Sequence, residues 1–553
     1  MLRPMPIEPI PPETARVARA AFPKGNRYLR LADELEMVFT DDTFQALFPR
    51  HGQPAWPPWR LAFVTLLQFA EGLSDRQAAN AVRSRIDWKY VLRLELTDAG
   101  FDASVLSEFR TRLITGTAEY LLFDTLLTWC RDRHLIKAGG RQRTDSTHIL
   151  AAVRALNRIE VVSETMRHAL NTLAIVAPEW LRTVSPSEWK DRYARRAEDD
   201  RLPMKQTARA ALALAIGYDG WRLLAAVDHA AAPPWVREVP AVAVLRRVWM
   251  QNYWWDGTQL RWREAGNIPP AAQFISSPYD AEAHYARKYT AQWVGYKVHL
   301  TESCEDDLPH LITHVETTSG PAADGTVTPK IHEALQQRGL LPGTHIVDTG
   351  FLDAALLVES QAHYGVDLLG PTRLDYHWQA RAGTGFDAQH FHIDWDQQCA
   401  TCPAGKTSIS WTPALDSREN PVIKVKFSTK DCRRCEQITQ CIRSKRRYPR
   451  RTLTIRPQPQ YQALHAARQR EATAAFQTEY ARRAGIEGTI SRETRSLRLR
   501  RTRYMGLKRV HLGHILAAVG LNVLRLGEWF LNTTPAKTRL TPFARLLAEA
   551  PAA

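Results

Sequence analysis

From about residue 28 to residue 137, apolar side chains recur every three or four positions, most densely in WRLAFVTLLQFAEGLSDRQAANAVRSRIDWKYVLRL. That spacing lines one side of a helix, so it predicts a helical region. Ser74 and Asp75 stand where an N-cap is needed, after a break at Gly72, and Ser104 is a second cap position opening SVLSEFRTRL. Ahead of it, residues 1–27 read as a flexible arm, because five prolines before position 13 disfavour a helix. The pattern then changes. Strand-like runs occur at 294–302, 310–318, 344–349 and 366–370, with helix-like TVTPKIHEALQQRG and DAALLVESQAHYG between the later ones. Strands first and alternation afterwards predict an α/β core on a mixed sheet. A long, mostly helical insertion, 151–280, separates these strands from an earlier one, RQRTDSTHI, and its Pro- and Ala-rich part 226–242 reads as a linker.

With 553 residues there is room for two to four domains and a sizeable core, and 44% hydrophobic content fits a globular chain. A net charge of +16 favours an acidic polymer as partner. The opening MLRPMPIEPIPPE lacks the apolar core of a secretory signal, and apolar runs such as LAFVTLLQFA (61–70) are too short to span a bilayer. A soluble, intracellular protein without a membrane partner is expected. Seven cysteines in so long a chain, five of them bunched, do not form a secreted disulfide framework.

Three acids stand out in this setting. Asp145 ends one strand-like run, and Asp348 ends another that runs into a Gly- and Thr-containing turn. Tyr480, Arg483 and Glu487 fall at i, i+3 and i+7 on one helical stripe. Each alone has a bland reading: a cap or turn residue for the aspartates, a solvated face for the stripe. Together the three carboxylates suit a pair of Mg²⁺ ions, which accept few carboxylates and complete their shells with water and phosphate oxygens. Cys399-x2-Cys402, Cys432-x2-Cys435 and Cys441 form a second constellation, suited to a structural Zn²⁺ held by four of the five thiolates. Free thiols or a redox pair are the alternative, while Cys130 and Cys304 read as core residues. Two basic runs, RSKRRYPRRTLTIR and 492–509, flank the stripe. The second, with Arg492, Arg495, Arg500, Arg501, Arg503, Lys508 and Arg509, reads as a DNA-binding face rather than a solvated one. In LRRVWMQNYWWDGTQLRWRE the tryptophans either pack a core or stack bases between arginines.

The spacing Tyr480-x2-Arg483-x3-Glu487, with Asp145 and Asp348 upstream, resembles the DDE transposases of bacterial insertion sequences, within the group whose third carboxylate lies in a Tyr-x2-Arg-x3-Glu-x6-Lys signature. SPYDAEAHYARK (277–288) resembles that family's Asp-centred, Lys-ended segment, which places Asp280 and Lys288 at matching positions. WVGYKVHLTE (293–302) resembles the strand after it, and 500–526 the closing helix, so the likeness runs from about 55 to 530. Thr494 stands where the signature has Lys; Arg492 and Arg495 are the neighbouring cations.

The resemblance implies a ribonuclease H-like catalytic core over 138–394 and 457–530. It also implies a helical N-terminal domain (28–137) that binds terminal inverted repeats or dimerises, a zinc-ribbon-like insertion (395–456) and a C-terminal tail (531–553). It implies cleavage and strand transfer at the ends of a mobile element, with Asp145, Asp348 and Glu487 on two Mg²⁺ or Mn²⁺ ions and Tyr480 and Arg483 on the phosphate. Duplex DNA of element ends and target would be the partner, a homodimer or higher multimer the working form, and the bacterial cytoplasm, at the nucleoid, the location. Two other readings share these residues. One is an inactive DNA-binding protein of the same fold, which Thr494 favours; the other is a Mg²⁺-dependent nuclease without strand transfer.

Overall fold

The computed structural model describes all residues except 36–37, 155, 199–201, 444–446, 498, 533–540 and 549–553. Most of the expected C-terminal tail and part of the basic run after Cys441 therefore lie outside the described residues.

The N-terminal periodicity becomes a packed set of helices around Pro58–Glu71, whose apolar residues are buried on nearly every side. That helix ends at Gly72, whose φ of 66° is the left-handed conformation glycine tolerates. Ser74 then opens Asp75–Ser84 with a reciprocal capping box to Gln77. Ser104 is the first residue of its helix rather than the cap, and Asp102 accepts its backbone N–H at 2.9 Å. The arm holds a correction, because Pro12–Ala21 is a helix. Pro12 sits in the first turn, where the missing N–H has no partner to lose. Ala18 is buried against Tyr90 and Leu29, and Thr14 donates to the Leu94 carbonyl at 2.8 Å.

The central sheet has six strands: β1 (Arg141–Leu150), β2 (His284–Lys288), β3 (Ala291–Ser303), β4 (Ile312–Ser319), β5 (Thr344–Ile346) and β6 (Asp367–Leu369). The order is β4-β3-β1-β5-β6, with β2 on the first half of β3. β1 pairs antiparallel with β3 and parallel with β5, and β5 pairs parallel with β6. A mixed sheet of this order, flanked by helices, is compatible with a ribonuclease H-like core. The helix Leu507–Phe530 packs on both β4 and Pro58–Glu71, so one apolar core runs from the N-terminal helices into the sheet. Gly520 makes that approach possible, since a Cβ there would lie 2.7 Å from the Ala70 nitrogen.

Between β1 and β2 the chain forms a helical insertion with its own core around Val162, Leu223 and Leu245. The stretch 226–242 is no open linker. Gln206–Asp228 runs into it, Pro240 starts the next helix, and Val227, Val236 and Val242 are buried between them. Trp249 is buried in this core, whereas Trp221 and Trp255 stack at 5.5 Å on the surface, each about half exposed. Against the expectation of short apolar runs, Gln206–Asp228 and Leu507–Phe530 are long and apolar enough to cross a membrane. The second is mostly buried within the protein and forms its spine.

Between β6 and the last helices lies the Cys-rich module. It has three antiparallel strands, β7 (Ser410–Leu415), β8 (Pro421–Lys426) and β9 (Thr452–Ile455), over a small core of Phe391, Ala400, Val425, Phe427, Leu453 and Ile455.

Candidate active site

Asp145 lies in the middle of β1, not at a strand end, because the strand continues to Leu150 in register with β3. Asp348 does follow its strand. It caps the turn Thr349–Phe351 and accepts the Gly350 N–H at 2.7 Å. The expected stripe is broken: Tyr480 ends one helix (Ala474–Ala481), Arg482 and Arg483 form a turn, and Glu487 lies in the first turn of the next (Ala484–Ser496). The break has a cause in a distant segment of the chain. Arg143 of β1 donates to the Arg482 carbonyl, and Gly485 covers its guanidinium so closely that a Cβ would lie 2.2 Å from it.

The turn places Arg483 among all three acids. One guanidinium nitrogen lies 3.0 Å from Asp145 and 3.9 Å from Asp348, and the other donates to Glu487 at 2.6 Å. Asp145 is nearly buried, Asp348 partly so, and the Glu487 side chain is 57% exposed, so the group opens to solvent on the Glu487 side. Burial pushes the Asp145 carboxyl above the usual range; the Arg483 charge opposes this, and Asp348 adds to it. Tyr480 stacks on Phe476 at 5.5 Å, and burial raises its phenol too.

A fourth acid was not foreseen. Asp324, just after β4, takes an ion pair from Lys297 of β3 at 3.0 Å and the Ser146 hydroxyl at 3.4 Å. It faces Asp348 across Gly350, where a Cβ would lie 2.9 Å from one carboxylate and 3.2 Å from the other. The signal was present in Asp324-Gly325-Thr326, an acid and glycine turn like that at Asp348.

Beneath these groups Glu302 of β3 is fully buried. It pairs with Arg143 at 2.6 Å and Arg525 at 2.8 Å and accepts the Thr489 hydroxyl at 2.8 Å. Burial alone would raise this carboxyl, but the two arginines hold it below the ordinary range. The network ties β1, β3, the Glu487 helix and the closing helix together. Asp280 and Lys288 also gain places. Asp280 accepts the Tyr296 hydroxyl at 2.6 Å inside the fold, and Lys288, at the end of β2, is among the cations acting on Asp145.

The basic strip runs along the end of β1, where Leu150 donates to the Arg500 carbonyl at 2.8 Å and Arg500 donates to Thr147 at 3.1 Å. Arg503 donates to the Leu73 carbonyl at 3.0 Å; Arg495, Arg501, Lys508 and Arg509 are exposed. Arg492 is held by Glu528 at 2.7 Å, and the Thr494 hydroxyl is buried without a hydrogen-bond partner.

In the Cys-rich module four thiols face one cavity of about 500 Å³: Cys402, Cys432, Cys435 and Cys441. Backbone N–H groups of Lys406 and Arg451 point at the Cys402 and Cys432 sulfurs, each at 3.4 Å. Burial, then the neighbouring thiols, push Cys441 up to about 11. Cys399 pairs with Asp394 in a separate hairpin and does not line the cavity. Cys130 and Cys304 are buried. As they stand, among the described residues, no three acid, thiol or imidazole groups are drawn up to ligand distance of one point. The donor chemistry nevertheless fits at both places: carboxylates held by an arginine that a divalent cation would relieve, and four thiols around one cavity, two of them with N–H donors on their sulfurs.

Asp145 on β1, Asp348 in the turn after the neighbouring β5 and Glu487 on a helix thus meet at Arg483, bordered by a basic strip. Two family models match the chain: a "Transposase DDE domain" over residues 401–527 and a "Transposase domain (DUF772)" over residues 16–112. Both matches are to transposase domains and support an insertion-sequence DDE transposase. The first match spans most of the Cys-rich module, Tyr480, Arg483, Glu487 and most of the closing helix; the second spans most of the N-terminal helices. Comparison with individually characterised proteins gave no match.

Proposed function

We propose that this transposase, built on a ribonuclease H-like core, cuts DNA at the ends of its element and joins those ends to target DNA in a Mg²⁺-dependent reaction. The observation that supports it most is the meeting of Asp145, Asp348 and Glu487, from three distant segments, on the one guanidinium of Arg483. Asp145, Asp348 and Glu487 would hold the metal ions. When bound, the ions supply activation of water or a 3′-hydroxyl and charge stabilisation at the leaving oxygen. Arg483 and Tyr480 would turn to the scissile phosphate, orient it for in-line attack and offset its negative charge. The buried Glu302 network keeps the Glu487 helix seated on β1 and β3 while this occurs. Arg495, Arg500, Arg501, Arg503, Lys508 and Arg509 would follow the duplex backbone, and two or more copies would pair the element ends. Structural Zn²⁺ would occupy the cavity of Cys402, Cys432, Cys435 and Cys441, leaving Cys399 outside. Asp348→Ala is expected to abolish strand cleavage of element-end DNA in Mg²⁺ while end binding persists. Retained cleavage would remove Asp348 from the site.

A further inference from the structure

A cleft of about 1020 Å³ lies between the turns that follow β4 and β5 and the Cys-rich module. Its inner end is formed by Ala323 and Gly325, on either side of Asp324, and by Leu352 and Asp353, just past Asp348. Its outer wall is the module, through Arg418 and Arg456, and the opposite wall carries Arg373 and Arg468. Of these four arginines only Arg456 has a carboxylate within ion-pair reach among the described residues, Asp416 at 3.8 Å. The acids on the walls are already engaged, Asp353 in capping the helix Ala354–Tyr364 and Asp375 in bonds to His377. Tyr376 stands at the rim, 74% exposed.

We infer that this cleft is a DNA site distinct from the 492–509 strip: a track that holds the phosphate backbone of the strand leaving the acid centre, with the Cys-rich module as its outer wall. The inference rests on the transposase reading. Arg468 donates to the Arg373 carbonyl at 3.4 Å, while Arg373 and Arg418 have no carboxylate within ion-pair reach among the described residues. Guanidinium groups along a cleft suit bidentate contacts to phosphates, and an exposed tyrosine at its rim suits base stacking. The inner end of the cleft flanks Asp324 and lies four residues past Asp348, so a strand held there would lead on towards the reacting phosphate. It also gives the module a task beyond filling a loop.

The test uses the full chain, a fluorescein-labelled duplex of the DNA flanking its gene, and the double variant Arg418→Glu/Arg456→Glu. Binding is measured by anisotropy across a salt series, and Mg²⁺-dependent cleavage of the same duplex in parallel. Each lost phosphate contact removes about 0.9 from the slope of log affinity against log salt, so the variant's slope should be shallower by about 2, with affinity lowered roughly tenfold or more. Wild-type affinity and slope in the variant would overturn the track, whatever its cleavage rate. Wild-type protein that binds the duplex but does not cut it would defeat the transposase reading instead, while the slope still decides the track. Should the charge reversal unfold the module by circular dichroism, Arg418→Gln/Arg456→Gln serves in its place, with a loss in the same direction.

Discussion

The acid centre and the Cys-rich module solve the same problem, holding chemically demanding side chains in place, with opposite resources. The acid centre stands on a six-stranded sheet backed by the largest apolar core in the described structure, and beneath it Glu302 is clamped by two arginines. The module has three short strands and a handful of buried apolar residues. A core of that size does not sustain a fold alone, and such modules add a cross-link or a metal. The difference teaches where each region is vulnerable: the centre through its buried charges, the module through its thiols.

The largest effect on stability is therefore expected at Glu302. Glu302→Ala leaves Arg143 and Arg525 buried without their counter-charge, a loss of about 3–5 kcal/mol in denaturant unfolding. Cleavage should fall as the Glu487 helix loosens. An unfolding midpoint equal to that of the unaltered protein would show that the network does not support the centre.

A smaller, local effect is expected at the module. Cys435→Ser, or a chelator, should remove one zinc per chain by mass spectrometry and expose 386–456 to protease while the sheet stays folded. Cys399→Ser should keep the zinc. If instead Cys399→Ser releases it, the thiol set is wrong.

The smallest effect concerns Glu493, on the buried side of the Glu487 helix. Both its oxygens are without hydrogen-bond partners, and burial raises its carboxyl to about 7. Below the ordinary carboxylate range the group is protonated in both states and carries no ionisation cost. As pH rises towards 7 the unfolded chain releases its proton first, so stability falls, and above that the cost is constant. Glu493→Gln should thus be more stable than the unaltered protein at pH 8, by about 2–3 kcal/mol, with the gain shrinking towards pH 4. A gain independent of pH would show that ionisation is not its source.

The two regions also differ in how far their residues announced them. The helix Pro58–Glu71, the N-cap at Ser74 and the late strands all follow from neighbours a few positions apart, and they were legible; the pairing of Cys399 with Cys402 was expected from spacing, but Cys399 lies off the cavity that Cys402 lines. The positions of Asp145, Asp348 and Glu487 were legible through a spacing pattern, but not their meeting on Arg483, which depends on contacts between segments hundreds of residues apart. β1 shows why. Gln142, Arg143, Thr144, Asp145 and Thr147 are polar yet buried, satisfied by partners such as Glu302, Thr301 and His345 from other strands. No local periodicity reports such partners. The broken helix at Arg482 has the same origin, because Arg143 takes its carbonyl, and the helix Pro12–Ala21 was hidden by prolines whose position in the first turn, not their number, decides the outcome.

Glu487 is the most exposed of the three acids and reaches the others only through Arg483, so it bears the most weight. The most direct measurement is Mg²⁺-dependent cleavage of element-end DNA by Glu487→Gln, with end binding followed in the same samples. Loss of cleavage comparable to that in Asp348→Ala, with binding intact, is the predicted result. Cutting at the unaltered rate would contradict a shared three-acid centre.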